Sequence, residues 1–463
     1  MLINRGISPN NIQHYLYTTD SDILDPNMID NMREGARMLV SHIGQNHKIH
    51  IQVDSDCDGY TSAAILINYL NCICPSFVQN NISYSLHKGK QHGIDTAAFD
   101  ADVVALVIAP DSSSNEYEIH QSLQEEGIDV LIIDHHEAPE ASKYACVINN
   151  QLCDYPTKSL SGAGMVYKFC CYLDNLLQVD YASRFLDLVA LALVADMMDL
   201  RDYETKHLIN LGINQIQNPY LKGMVEKQAF ALGDTITPKG LAFYVAPFIN
   251  AVTRTGTMEE KLILFEAMLE FKAYEQLPST KRGCHGMFET RVEQACRNCT
   301  NIKNRQTRTR DASLEIIEHI IETKQLLNNK ILVIKLDQDH TIDKNLTGLI
   351  ANELMSKYQR PVLLLNQVID NGKITWEGSG RGYDKSKLRD FRAFLEGTGL
   401  IEYAEGHANA FGAGIADDKF DEFITTTNQL LQSFDFSPSY KVDFIYNAKN
   451  INNVDILTIA DYI

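Results

Sequence analysis

The chain has 463 residues, more than one ordinary core accommodates, so two domains with connecting elements are expected. Hydrophobic residues make up 45% and charged residues 22%, a balance that excludes a disordered or membrane-embedded chain. A net charge of −19 excludes a protein that coats nucleic acid by bulk electrostatics, so a polyanion must meet a local basic patch or a bound metal.

The first fifteen residues, MLINRGISPNNIQHY, carry neither a charged start before an apolar core nor a small-residue cleavage site, and residues 1–47 read as a helical extension. The longest apolar stretch, Asp187–Leu200, is broken by acids before it could span a bilayer. No membrane association and a cytoplasmic location are expected, and the ten cysteines read as reduced thiols. Strands are predicted at Lys48–Val53, Val103–Ala109 and Asp129–Asp134, with a helix at Thr61–Leu70 between the first two, a pattern that specifies a parallel α/β sheet. An acid ends or closely follows each strand, and ligands in open α/β sheets collect at the carboxyl ends of the strands. An apolar helix at Ser183–Asp199 carries Asp187, Asp196 and Asp199.

Residues 258–330 read as long helices forming a connector. Within it, Lys281, Arg282, Arg291, Arg297, Lys303, Arg305, Arg308 and Arg310 are opposed locally only by Glu289 and Glu293, which reads as a solvated helix face or a backbone-tracking patch. Cys284, His285, Cys296 and Cys299 could supply four zinc ligands, although a single CxxC more often marks ordinary thiols. A second, smaller α/β unit follows over 331–435, with strands at Ile331–Asp337 and 361–366, a helix at Leu346–Tyr358 and a glycine-rich end, then a tail over 436–463.

The chemistry concentrates in His50-Ile-Gln-Val-Asp54-Ser-Asp56-Cys-Asp58-Gly59. Clustered carboxylates repel one another, so a site that keeps them must hold a cation or protonate some. Oxygen ligands suit Mg²⁺, Mn²⁺ or Ca²⁺, but Ile65 stands where a calcium loop needs its bidentate glutamate. Asp134-His135-His136 repeats the logic of strand, acid and metal-binding imidazoles. The ordered set DxDxDG, Asp111, Asp-His-His and Asp196 is hard to obtain by chance.

In that order and spacing the chain resembles the DHH phosphoesterases, and among them the RecJ single-strand DNA exonucleases. DSDCDG, Asp111, DHH and Asp196 in LALVADMMDL match four family motifs; LSGAGMVYKF, APFINAVTR, GSGRG and EGHANAFGAG are further RecJ-like stretches. The resemblance implies a DHH catalytic domain over 48–257 and a DHH-associated substrate domain over 331–435. It implies two divalent cations, Mn²⁺ preferred or Mg²⁺. Asp54 and Asp111 would hold one, and Asp56, Asp111, His135 and Asp196 the other, with His50 a candidate additional ligand. Asp134, Asp58 and His136 complete the catalytic group, His136 against the scissile phosphate or the attacking water. Ser379, Arg381, Gly406 and His407 are implied phosphate-gripping residues. Asn250 and Arg254 match an NAxGR-like signature that approaches nucleic acid, with Thr253 replacing its glycine, and His92 matches a loop near the active site.

The implied activity is 5′→3′ release of mononucleotides from single-stranded DNA in recombination, repair or replication. Full RecJ enzymes carry an oligonucleotide-binding barrel, for which the last residues here are too few. This keeps open cleavage of short oligonucleotides or cyclic dinucleotides. A non-catalytic replication or repair factor is the third reading, opposed by the complete set of motif acids.

Overall fold

The computed structural model describes residues 2–89, 91–284, 286–370, 372–438, 440, 442–443, 445, 452–454 and 456–457. It divides into two compact units, Tyr17–Thr307 and Met1–Leu16 with Arg308–Ile463. In the larger unit, α1 (Met32–Gly44) precedes five strands, β1 (Lys48–Val53), β2 (Ile82–Leu86), β3 (Val104–Pro110), β4 (Asp129–Asp134) and β5 (Cys146–Asn149). All pair in parallel in the order β2-β1-β3-β4-β5. Parallel strands are covered on both faces, hence their near-continuous apolar runs. On one face Ile49, Ile51, Val53, Leu131 and Ile133 join the main core, with residues of α2 (Cys57–Ile73). On the other, Val107, Ala109, Val130 and Ile132 pack with Leu123 of α3 (Tyr117–Glu125).

The main core also takes in α4 (Gly162–Leu177) and α5 (Leu186–Ala195), both dominated by buried residues. The strand order reverses at β1, which has β2 on one side and β3 on the other. Such a reversal opens a crevice at the carboxyl ends of the strands, where ligands bind.

Three elements differ from the sequence expectation. The helix after DSDCDG begins at Cys57, because Asp56 caps it by accepting the Gly59 N–H. The apolar helix α5 stops at Ala195, so Asp196 lies beyond its last turn. After α6 (Ala246–Thr255) and α7 (Met258–Met268), the expected run of helices is interrupted by a hairpin of β6 (Gln276–Pro278) and β7 (Phe288–Thr290) before α8 (Arg291–Thr323).

Tertiary partners neutralise much of the basic run on and before α8. Arg291 pairs with Glu266 and Glu275, Arg297 and Lys281 with Glu289, Arg305 with Glu260, and Arg310 with Asp311 and Glu353. Of these acids only Glu289 falls inside the run itself. Cys296 and Cys299 are buried in the core, the Cys299 sulfur 3.2 Å from the Tyr220 hydroxyl, which opposes the zinc reading. His285, the proposed partner ligand, lies outside the described residues.

The smaller unit holds β8 (Leu332–Leu336), α9 (Lys344–Tyr358), β9 (Val362–Asp370), β10 (Lys373–Arg381), β11 (Tyr403–His407), β12 (Ala410–Ala416) and α10 (Phe420–Leu430). Its sheet runs β11-β12-β10-β9-β8, with β8 and β9 parallel and the other pairs antiparallel. Alternation sends Leu332, Ile334 and Leu336 against α9, and Val333, Leu363 and Leu365 into a second core with Phe391, Phe411 and Phe423. No helix among the described residues is long and apolar enough to cross a membrane.

Candidate metal centre

The three sequence-predicted strand ends meet. Asp54 follows β1, Asp111 follows β3 and Asp134 closes β4, and all three are buried. Oxygen and nitrogen donors fall into three overlapping groups, each with its ligand atoms within 4.8 Å of one another: Asp54, Asp56 and Asp111; Asp58, His135 and Asp196; and Asp111, Asp134, His135 and His136. Asp111 and His135 each belong to two groups. His135 Nε2 stands 3.2 Å from Asp111 Oδ1 and 3.6 Å from both Asp58 Oδ2 and Asp196 Oδ2. The grouping differs in detail from the family-implied one, since Asp56 sits with Asp54 rather than with Asp196.

The backbone holds Asp111 in the left-handed region at φ 69°, and Ser113 follows at φ 77°. Non-glycine residues adopt that region at a cost and persist there when their surroundings over-determine them. The surroundings include Gly162 at the start of α4, where an added Cβ would lie 2.4 Å from the Asp111 Cβ. Gly59 acts similarly. It sits inside α2, and a Cβ there would come within 2.6 Å of the Asp54 Cβ, so glycine lets the helix start lie against the strand end.

Each remaining acid has a distinct set of donors. Asp58 accepts from the Ser161 hydroxyl and the Gly162 and Ala163 N–H groups, at 3.0, 2.7 and 2.9 Å. It thereby occupies the electropositive start of α4. Asp134 accepts from the N–H groups of Ser114, His135 and His136 and from His136 Nδ1 at 2.8 Å. Burial opposes its charge, but the His136 hydrogen bond and the neighbouring imidazoles hold its carboxyl below the ordinary range. Asn149, through its side-chain N–H₂, supports the Ser114 hydroxyl and the His136 carbonyl.

The other clustered acids behave oppositely. Burial, then the carboxylates of Asp58, Asp56, Asp54 and Asp134, push Asp111 well up. Burial raises Asp196 to about 8, reinforced by Asp58 and Asp56. Burial raises Asp54 against the lowering effect of His92. For His136 burial opposes protonation, but the Asp134 hydrogen bond and the surrounding carboxylates outweigh it and hold it at about 9. Asp111 Oδ1 receives no hydrogen bond despite the nearby imidazole, so a buried acceptor is left unsatisfied. A cation would satisfy that oxygen and relieve the mutual repulsion, so this donor set of carboxylates and imidazole fits a hard or borderline divalent metal.

Other predicted residues fall elsewhere. His50 is absent from the three groups: its ring nitrogens contact the Ser83 and Ser85 hydroxyls of β2 at 3.0 and 2.9 Å, and its ring packs on Phe99. Position 50 points to the same side of β1 as position 54, but two strand periods separate them. The structure does not bring His50 together with those groups. Asn250 accepts the Cys57 N–H at 3.0 Å, supporting the metal-motif turn from α6. Thr253 continues that helix without a turn, its hydroxyl donating to the Asn250 carbonyl. Arg254 lies where Asp56 supports its charge against burial. His92 Nδ1 contacts both Asp54 oxygens, at 3.0 and 2.7 Å.

Ser379, Arg381, Gly406 and His407 belong to the smaller unit. Arg381 Nη1 donates to the Gly380 carbonyl at 2.7 Å, Ser379 and Thr347 hydroxyls are 2.8 Å apart, and His407 is exposed on β11. Gly406 has φ 129°, where a side chain would be strained.

Sequence profiles of the DHH family, N-terminal domain, and of the DHHA1 domain match residues 48–193 and 328–433. YorK of Bacillus subtilis, an SPbeta prophage-derived protein named provisionally as a single-strand DNA-specific exonuclease, is 38% identical over 470 residues, covering 100% of this chain and 79% of YorK. The single-stranded-DNA-specific exonuclease RecJ of Bacillus subtilis is 26% identical over 97% of this chain and 55% of its own length. RecJ of Thermus thermophilus in complex with Mn²⁺ superposes with a TM-score of 0.68 at 20% identity, over 91% of this chain and 58% of that one. Its complex with Mg²⁺ gives 0.60 at 20% identity, over 92% and 56%. The chain belongs to the DHH family, joining that family's N-terminal domain to a DHHA1 domain, and is RecJ-like in sequence and fold.

Proposed function

We propose that this chain is a metal-dependent exonuclease that hydrolyses phosphodiester bonds in single-stranded DNA, removing mononucleotides from the 5′ end. The observation that carries the reading is the convergence of Asp54, Asp56, Asp111, His135 and Asp196 at the switch point of the parallel sheet. Likeness to YorK along the whole chain supports the substrate class.

Asp54, Asp56 and Asp111 would hold one divalent cation and His135, Asp196 and the shared Asp111 a second, Mn²⁺ or Mg²⁺. When bound, such a pair supplies Lewis acidity that acidifies the attacking water and neutralises charge on the phosphate. Asp134 fixes His136 through Nδ1, leaving Nε2 available to donate to a phosphate oxygen. The charge held on that imidazole suits an anion. Asp58, locked on the start of α4, keeps its remaining edge toward His135 and fixes the spacing of the two groups. In the DHHA1 domain, Arg381 and His407 would bind substrate phosphates, Arg381 as a planar fork. This assignment and the domain limits 48–257 and 331–435 rest on the family resemblance, and the connector limits 258–330 on the helical pattern of the sequence.

A second reading, cleavage of short oligonucleotides, is favoured by the ion-paired state of the basic helix, which leaves fewer cations for a long strand. Single-stranded DNA and RNA labelled at either end, in a length series with Mn²⁺, test both. Mononucleotide release from the 5′ end of long DNA is expected. Activity confined to dimers through pentamers would transfer the assignment to the second reading, and release only from the 3′ end would overturn the polarity.

A further inference from the structure

Lys261, on α7, is 1% exposed, and among the described residues its hydrogen-bond partners are backbone carbonyls rather than carboxylates. Its ammonium donates to two backbone carbonyls, those of His87 at 2.8 Å and Gly89 at 3.3 Å. A buried ammonium held only by neutral acceptors is costly, so its persistence calls for a role beyond packing.

The two carbonyls open the segment that carries His92 to Asp54. On the far side, the Ile94 N–H donates to Glu116 at 2.9 Å, and the Asp95 N–H to Gln52 Oε1 at 3.1 Å. Gly93, at φ 84°, lies so close to the Glu116 carboxylate that a Cβ would meet it at 2.0 Å. Gln52 also contacts His87 Nε2 at 3.2 Å. The segment is thus anchored on both sides of His92, with Lys261 and Gln52 holding the side nearest β2.

We propose that Lys261 is a positioning residue for the metal centre: by clamping the His87 and Gly89 carbonyls it fixes the approach of His92 to Asp54. His92 then limits access to the Asp54 oxygens and, once a cation takes them, stands beside it facing substrate. The half-exposed imidazole is consistent with that second position. This inference rests on the proposed role of Asp54 as a metal ligand.

Lys261→Met, His92→Ala and the double variant, made in the full chain, test it by three readouts. Hydrogen–deuterium exchange over residues 84–95 should rise in Lys261→Met while the central strands stay protected. Mn²⁺ affinity by calorimetry should change in the same direction in both single variants and no further in the double. Turnover number on single-stranded DNA should fall about tenfold in each, with KM little changed and no additional loss in the double. If Lys261→Met fails to fold, Lys261→Gln carries the same measurements. Unchanged exchange over 84–95, or single effects that multiply in the double variant, would overturn the proposal. Exchange and metal binding that respond as expected in a chain without nuclease activity would instead overturn the nuclease reading and leave the clamp standing.

Discussion

His50 and Asp134 show how differently a single polar residue can be used on one face of a sheet. Both are buried, yet His50 is kept neutral and Asp134 charged. Burial depresses His50 to about 4, against a small opposing effect of Asp95. Above pH 6.5 the imidazole is neutral folded or unfolded and contributes no pH dependence. Between 6.5 and 4 the unfolded chain takes up a proton that the folded chain refuses, so stability falls as pH falls, by about 3 kcal/mol over the window. Urea unfolding of the metal-free protein at pH 7 and pH 5 should therefore show a steeper loss in wild type than in His50→Gln; equal slopes would refute the assignment. Asp134→Asn places an N–H₂ where N–H groups and His136 Nδ1 now converge on a carboxylate. Hydrolysis should drop by roughly 10- to 100-fold, the usual effect of losing an orienting partner, while Mn²⁺ still binds. A variant with wild-type turnover would remove Asp134 from the catalytic group.

At the scale of elements, the candidate metal site depends on close approaches between strand ends and helix starts. Gly162→Ala would drive a Cβ to within 2.4 Å of Asp111 and displace the residue that two ligand groups share. Circular dichroism should remain near wild type while Mn²⁺ affinity falls at least about tenfold; unchanged affinity would show that Asp111 can shift without loss. The basic helix carries the opposite lesson. Arg291, Arg297, Arg305 and Arg310 are committed to acids, mostly from other elements. Arg305→Glu should then alter single-stranded DNA affinity less than about threefold, with a shallow dependence on salt. Fluorescence anisotropy across a salt series would detect a steep slope, which would restore the helix as a backbone-tracking surface. Local charge counting could not find this, because Glu260, Glu266, Glu275 and Glu353 lie outside the run they neutralise.

For the whole molecule, a cation held by the buried carboxylates would make metal binding and folding parts of one equilibrium. A cation bound at a hundred times its dissociation constant adds about 2.7 kcal/mol to a chain that binds it only when folded. Thermal unfolding should move upward with Mn²⁺ and return with EDTA; Asp111→Asn should lose that shift and be more stable than wild type without metal, since Asp111 is buried beside the carboxylates of Asp58, Asp56, Asp54 and Asp134. A melting temperature indifferent to Mn²⁺ would contradict a metal centre. Local patterning specified the parallel sheet, because β-branched runs ending in acids are readable before any packing, and it named candidate ligands that the structure then groups together. It also determined the family, since the motifs recur in fixed order. Tertiary structure alone decided which polar groups face one another. It placed His50 among serines, seated Asp58 on a helix start 104 residues away, paired Arg291, Arg297, Arg305 and Arg310 with acids and brought Lys261 under His87 and Gly89. Those pairings join residues from distant parts of the chain, and no local propensity or spacing records them; only the packing that excludes water from between the elements sets which donor meets which acceptor.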